Sequence, residues 1–402
     1  MFSIEEVAAA TGGMLTGGAG QVVQRVSTDS RTAAAGDLFV ALRGERFDAH
    51  DFIDAAAGRG VAAFLVEAGR EMLVPAAAAA VGVSDTLRGL GDLAAFHRRR
   101  FDIPVAAITG SNGKTSTKEM LASILSVSGE GLKTEGNLNN LIGLPHMVLR
   151  LHGDHRWAVL EMGMSEPGEI DRMAEIAAPR VGVITNVFPA HLESMGSVEN
   201  VARAKGELFL RLQPGAVAVY NADDPLVAAL PAPPGVDRLS FGIDAGDVRA
   251  EALERLGRLG QRIALSLPTG RVELTLHAFG RHNVANAAAA AAAAVVLGVP
   301  AGEIAAGLER FRPYDKRFRL EDLGSLVLID DSYNANPAST RAALETLAIL
   351  KEEGRGIAVL GDMLELGPGS AAAHRETGRI AASTADRLYL LGEMGGEVAA
   401  GA

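Results

Sequence analysis

Apolar residues along the chain cluster in short runs, and stretches of helical spacing separate them. Residues 4–10 predict a helix. G-D-L-F-V-A-L (36–42) and A-A-F-L-V (62–66) predict buried strands, with a short helix over 55–59 between them. Residues 84–101, ending in H-R-R-R, predict a helix that joins this block to the next. From Ile103, P-V-A-A-I-T-G reads as a buried strand, followed by a glycine-rich loop and a helix starting near Lys114. W-A-V-L-E-M-G and V-G-V-I-T-N-V are two more apolar strands, and this alternation predicts a mostly parallel sheet with helices on both faces. Q-R-I-A-L-S-L-P and R-V-E-L-T-L-H alternate apolar and polar residues, which suits an antiparallel pair at one sheet edge. A helix over 282–297 closes the block. Beyond Pro313, S-L-V-L-I-D-D, G-I-A-V-L-G-D and D-R-L-Y-L-L-G predict strands separated by helices at 339–351 and 371–383. That is the pattern of a small doubly wound unit.

The expected fold is therefore α/β in three domains. A small α/β domain spans 1–83, a central P-loop-type sheet flanked by helices spans 84–312, and a Rossmann-like domain spans 313–402. The last domain reads as truncated, because G-E-M-G-G-E-V-A-A-G-A offers a turn and a helix start but no further strand.

Composition narrows the function. A formal net charge of −11 argues against non-specific nucleic-acid or anionic-membrane binding, while still allowing phosphate at a loop or helix end. The absence of cysteine excludes disulfides and thiolate metal sites. Glu5 and Glu6 stand where a signal peptide carries positive charge, and the apolar stretch 287–297 is too short to span a bilayer. The expectation is a cytoplasmic protein without a membrane span.

The sharpest local signal is T-G-S-N-G-K-T-S at 109–116, between a strand and a helix. Gly110 and Gly113 let the backbone turn so that several N–H groups point inward, where a triphosphate would sit, and Ser111, Asn112 and Ser116 are candidate nucleotide contacts along the same loop. Lys114 would reach the β- and γ-phosphates, and the Thr115 hydroxyl would bind phosphate or Mg²⁺. Ile108 occupies the position where the longer G-x-x-x-x-G-K-[ST] loop has glycine. The plain alternative is a glycine turn that only caps a helix.

Glu161 ends one later strand and His191 follows another. Either alone is commonly structural, but in an open parallel sheet both face the crevice beside the phosphate loop, where they could hold Mg²⁺. Lys205, in A-R-A-K-G-E-L, is either a cation that pairs with phosphate or a buried neutral amine able to form a carbamate.

Taken in order, D-S-R, G-D-L-F-V-A-L, T-G-S-N-G-K-T-S-T-K-E-M, G-N-L-N-N-L-I-G-L-P, E-M-G, I-D-D-S-Y-N-A-N-P and L-G-D-M-L-E-L-G resemble the Mur ligase family over nearly the whole chain. Y-N-A-N-P with D-M-L-E-L-G resembles the branch that adds D-alanyl-D-alanine to a UDP-N-acetylmuramoyl-tripeptide. The resemblance implies ATP and two Mg²⁺ ions as cofactors, with Thr115, Glu161, His191 and a carbamylated Lys205 as metal ligands and Lys114 on the phosphates. It also implies Asn283 and Asn286 near adenine, and Asp331, Asn334 and Asn336 as nucleotide contacts from the third domain. A junction arginine on the transferring phosphate would be Arg317, with Arg319 also eligible. Ser30 and Arg31 would lie near the uridine diphosphate, and Asn137, Asn139 and Asn140 would hold the peptide. The D-S-R segment could equally be a turn before a strand, and 137–140 a loop whose amides cap its own backbone.

Two departures stand against the resemblance. After E-M-G this chain has M-S-E-P-G-E-I rather than the alanine-asparagine form of the family, and relatives continue about fifty residues further to a glycine-serine motif. The expected partners are UDP-N-acetylmuramoyl-tripeptide and D-alanyl-D-alanine, the expected state a monomer. The competing readings are a sister Mur-type or folylpolyglutamate-type ligase, and a nucleotide-binding relative that has lost ligation.

Overall fold

The structure is a computed structural model and describes residues 1–189, 195–314, 316–351 and 353–402. The chain divides into two compact units. One comprises Met1–Asp102, Thr134–Gly153 and Glu175–Ala178; the other comprises Ile103–Lys133, Asp154–Ala174 and Pro179–Ala402.

In the first unit, a five-stranded sheet runs in the order Met14–Thr16, Ala79–Val83, Ala63–Glu67, Asp37–Val40, Arg25–Ser27. It is parallel except at Met14–Thr16. Its inner strands are mostly apolar because both faces are covered: Leu38, Val40 and Leu65 join one core with Ile4 and Leu93, while Phe39, Phe64 and Val66 join another with Ile53. The helix Ile4–Thr11 begins with a capping box between Ser3 and Glu6 and ends at Gly12, whose φ of 63° suits a residue without Cβ. The predicted joining helix is Thr86–Arg98, N-capped by Asp85. It lies wholly within this unit, where His97 and Arg98 bond the carbonyls of Leu151 and Ala177.

A nine-stranded sheet organises the second unit. Its order is Gly270–Leu276, Gln261–Leu267, Val248–Arg255, Asp237–Gly242, Val217–Asn221, Val181–Ile184, Val105–Thr109, Ala158–Glu161, Leu132–Lys133. All pairs are parallel except the two that include Gln261–Leu267, which form the expected antiparallel edge. After Val105–Thr109 the chain first adds strands on one side and then returns to add the rest on the other. The loop at 110–113 thus lies at a topological switch point. The helix Arg281–Val296 packs across this sheet and against the helix Lys114–Leu125, and Ala287 to Ala294 are all fully buried. Their small side chains allow the close approach that seats Asn283 and Asn286 beside the phosphate loop.

The carboxy-terminal part alternates strands and helices as expected. Val327–Asp330 pairs antiparallel with Arg319–Asp322, and Ile357–Leu360 pairs parallel with Arg387–Leu390. The helices Pro337–Leu350, Ser370–Thr384 and Gly395–Gly401 intervene and follow, around a small core of Leu344, Ala358 and Ala381. Among the described residues, no helix is long and apolar enough to cross a membrane.

Candidate active site

The strand Val105–Thr109 is buried along its whole length and delivers the glycine loop at the carboxyl edge of the sheet. Gly110 and Gly113 have φ of 147° and 81°. A Cβ at Gly110 would lie 1.9 Å from Thr185 Oγ1, and one at Gly113 2.2 Å from Asn286 Oδ1. Glycine is therefore required both for conformation and for space. The neighbouring strand end holds the loop in shape. The Thr185 hydroxyl donates to the Asn112 carbonyl at 2.6 Å, the Asn112 N–H donates to Asn186 Oδ1 at 2.8 Å, and the Ser111 N–H donates to the Asn186 carbonyl at 2.9 Å. The helix Lys114–Leu125 starts at Gly113 without a side-chain cap, so its amino-terminal N–H groups and dipole face the loop.

Four ionisable groups gather here. Lys114 Nζ donates to the carbonyls of Gly110 and Ser111 at 2.7 and 3.2 Å. Dense surroundings pull its ammonium below the ordinary lysine range; the Glu161 carboxylate opposes this and the Arg317 guanidinium adds to it. Glu161 is buried and ends the adjacent strand, in register with Ile108. Lys205, on the helix Val198–Arg211, is 2% exposed, and burial together with the charge of Lys114 drives its pKa well below the ordinary value. Lys114 thus interacts electrostatically with Glu161, Lys205 and Arg317. Buried oxygens at Thr115 and Glu161 are the hard donors that suit a divalent cation such as Mg²⁺. His191 lies outside the described residues.

A recess at the loop is lined by Ser111, Lys114, Thr115, Arg317, Asn334 and Asn336. It lies beside a larger cleft of about 1750 Å³ whose walls include Asn112, Gly113, Ser116, Asn283, Asn286 and Asp331. Asn336 caps the helix Pro337–Leu350 and exchanges a reciprocal amide pair with Asn112, at 2.5 and 3.2 Å. Arg317 enters the recess while its guanidinium stacks 4.1 Å above the Tyr333 ring. Arg319 instead lies on the strand Arg319–Asp322, 3.5 Å from the Glu321 carboxylate. The carboxyl of Asp331 is pushed up to about 6 by burial, against the pull of the Phe318 N–H and of Arg317. The amides of Asn283 and Asn286 are engaged inside the protein. Asn283 Nδ2 bonds the Phe279 carbonyl at 2.9 Å and His282 Nε2 at 3.1 Å, and Asn286 links Asn283 to Thr117.

The remaining sequence-predicted residues lie in the first unit. Arg31, exposed, forms a two-pronged pair with Asp29 beside Ser30. Asn140 accepts the N–H groups of Ile142 and Gly143, capping its own backbone at the start of the helix Gly143–Val148, while Asn137 and Asn139 occupy the turn before it. The segment Thr134–Gly153, which the sequence reading places in the central domain, clusters with the amino-terminal unit. There His146 Nε2 lies 3.1 Å from the Thr28 hydroxyl and ties the two predicted substrate-side patches together. Sequence reasoning missed His146; a lone histidine 118 positions from its partner gives no local signal.

Similarity to known proteins covers three successive stretches of the chain. Residues 22–98 match the Mur ligase family catalytic domain, 108–294 the Mur ligase middle domain, and 316–402 the Mur ligase glutamate ligase domain. The chain is 40% identical to UDP-N-acetylmuramoyl-tripeptide--D-alanyl-D-alanine ligase of Escherichia coli, over 94% of this chain and 83% of that one. It is 36% identical to the enzyme of the same name from Bacillus subtilis, over 95% and 82%. Among solved structures, MurF from Acinetobacter baumannii superposes with a TM-score of 0.93 at 38% identity, covering 100% of this chain and 88% of that one. MurF ligase from Thermotoga maritima in complex with ADP superposes at 0.83 and 30% identity, covering 94% and 86%. With three family domains matched in order and relatives of this identity covered over four fifths of their length, the chain belongs to the Mur ligase family.

Proposed function

We propose that this chain is an ATP-dependent ligase that joins D-alanyl-D-alanine to UDP-N-acetylmuramoyl-tripeptide in peptidoglycan precursor synthesis, acting as a cytoplasmic monomer. The observation that carries the reading is the gathering of Lys114, Glu161, Lys205 and Arg317 at one glycine loop. The relatives named above support the choice of substrates.

In this reading the peptide's terminal carboxylate attacks the γ-phosphorus of ATP, the bond to ADP breaks, and an acyl phosphate forms. The dipeptide amine then attacks the acyl carbon, loses its proton to solvent, and phosphate departs. Negative charge accumulates in both steps. Lys114 and Arg317, which both line the recess, meet it, and the backbone N–H groups of the loop add fixed dipoles. Thr115, Glu161 and His191 would hold Mg²⁺, which when bound neutralises phosphate charge. Asp331, Asn334 and Asn336 hold the nucleotide from the carboxy-terminal side, and Asn283 and Asn286 brace the loop and the base-side wall. Ser30, Arg31, Asn137, Asn139 and Asn140, with His146, would contact the UDP-N-acetylmuramoyl-tripeptide.

Lys205 is proposed to carry a carbamate that helps bind a second Mg²⁺. Its burial beside Lys114 favours a neutral amine, the form that reacts with CO₂. A carbamate carbon signal from ¹³C-bicarbonate should appear in this protein and vanish in Lys205→Ala; its absence from the unsubstituted chain rejects the modification.

The decisive assay measures ADP release with UDP-muramoyl-tripeptide, with and without D-alanyl-D-alanine. Release that depends on both substrates is expected. ATP binding without dipeptide-dependent turnover would instead favour a non-catalytic relative, and turnover with a different amine would favour a sister ligase.

A further inference from the structure

We propose that Phe318 both selects the nucleobase and positions Arg317: its ring forms the aromatic wall of the cleft, and its seat there fixes the turn that aims Arg317 at the phosphate loop. This rests on the reading of the cleft as a nucleotide site. Lys316 and Phe318 adopt φ of 58° and 51°, a conformation that side chains disfavour, and Arg317 stands between them. Such a turn persists only where its surroundings hold it. Here the Phe318 N–H donates to Asp331 Oδ1 at 3.0 Å, and the Lys316 carbonyl accepts the Tyr333 N–H at 3.2 Å. The Phe318 side chain, 5% exposed, packs against Phe279 and His282 with ring centroids 6.2 and 6.4 Å away.

All three rings line the cleft. The obvious hydrogen-bonding candidates for a base are already occupied, since both amide protons of Asn283 are committed to Phe279 and His282. Base selection therefore falls on the aromatic surfaces. A purine has more stacking area than a pyrimidine, so such a wall favours adenine over cytosine. Because one residue carries both the ring in the wall and the backbone beside Arg317, loss of the ring should weaken base discrimination and misplace the guanidinium together. A residue serving only to fill the core would do neither selectively.

The test compares calorimetric binding of ADP and CDP, and kcat at saturating ATP, in the unsubstituted protein and in Phe318→Ala, Phe318→Leu and Phe318→Tyr, each with its melting curve. The unsubstituted protein and Phe318→Tyr should prefer ADP by about tenfold or more. In Phe318→Leu and Phe318→Ala the preference should fall to about threefold or less, with kcat down about tenfold to a hundredfold. If Phe318→Ala does not fold, Phe318→Leu carries the comparison. A folded variant lacking the ring but keeping the ADP-to-CDP ratio overturns the inference, as does an unsubstituted protein with no preference. ADP-selective binding without ligation would instead overturn the ligase reading and leave the role in base selection supported by the binding ratio.

Discussion

The phosphate loop and the strap at 316–318 each bring one basic side chain to the same recess, and they reach the necessary backbone by opposite routes. The loop turns at Gly110 and Gly113, where positive φ carries no Cβ penalty. The strap turns at Lys316 and Phe318, where positive φ costs about 1 kcal/mol each and must be offset by the contacts that hold it. A loop of the first kind is specified by its own residues. A strap of the second kind exists only because Asp331, Tyr333 and the aromatic cluster hold it in place. One cation is fixed locally, the other by tertiary packing.

The largest expected effect comes from removing the locally fixed cation. Lys114→Ala should lower kcat about a thousandfold, near 4 kcal/mol of transition-state stabilisation, with an unchanged fold. Near-normal ADP release by this variant would reject the loop assignment.

Asp331 provides the next test, on stability. Folding raises its carboxyl to about 6, so the folded protein holds the proton more tightly than the unfolded chain does. The stabilisation from protonation is complete below about pH 4 and is lost as the pH rises through about 6, leaving the ionised group a burden near 3 kcal/mol at neutral pH. Asp331→Asn keeps an oxygen for the Phe318 N–H and loses that charge. Its melting temperature should exceed the parent's at pH 7.5, and the gain should shrink toward zero near pH 4. A gain independent of pH would show that burial of the charge is not its cause.

Arg317→Ala should cut kcat about a hundredfold, whereas Arg319→Ala, whose partner is the nearby Glu321, should stay within about twofold. Equal losses in the two variants would break the distinction between recess and strand. Two backbone tests, opposite in sign, read stability, and the second has the smallest effect of all. Gly113→Ala should destabilise by about 2 kcal/mol and abolish nucleotide binding, because its Cβ would collide with Asn286. Lys316→Gly should raise stability by about 0.5 kcal/mol or less, relief of strain being partly offset by the added freedom of the unfolded chain. Urea denaturation of both variants reads the contrast directly.

The same division explains what was legible in the sequence. The loop, the strand that ends in Glu161 and the alanine-rich helix follow from contiguous pattern, and each forms where expected. The choice between Arg317 and Arg319 stays open in sequence because two residues apart on one strand-like segment look alike; stacking on Tyr333 separates them. The strand Val248–Arg255 escapes notice because V-R-A-E-A-L-E-R is rich in good helix formers, and pairing with Asp237–Gly242 and Gln261–Leu267 overrides that preference. The contact of Thr28 with His146 and the membership of Thr134–Gly153 in the amino-terminal unit depend on long-range packing that no short window contains.

The ends of the nine-stranded sheet carry a further consequence, for solubility. One border is Leu132–Lys133, only two residues long, and the other, Gly270–Leu276, places Arg271 and Glu273 outward. Neither presents a long, flat, apolar row of unpaired backbone groups to a second molecule. A sheet this wide can thus remain dispersed at high concentration, and replacing those two border charges with valine would invite aggregation while leaving the catalytic recess untouched.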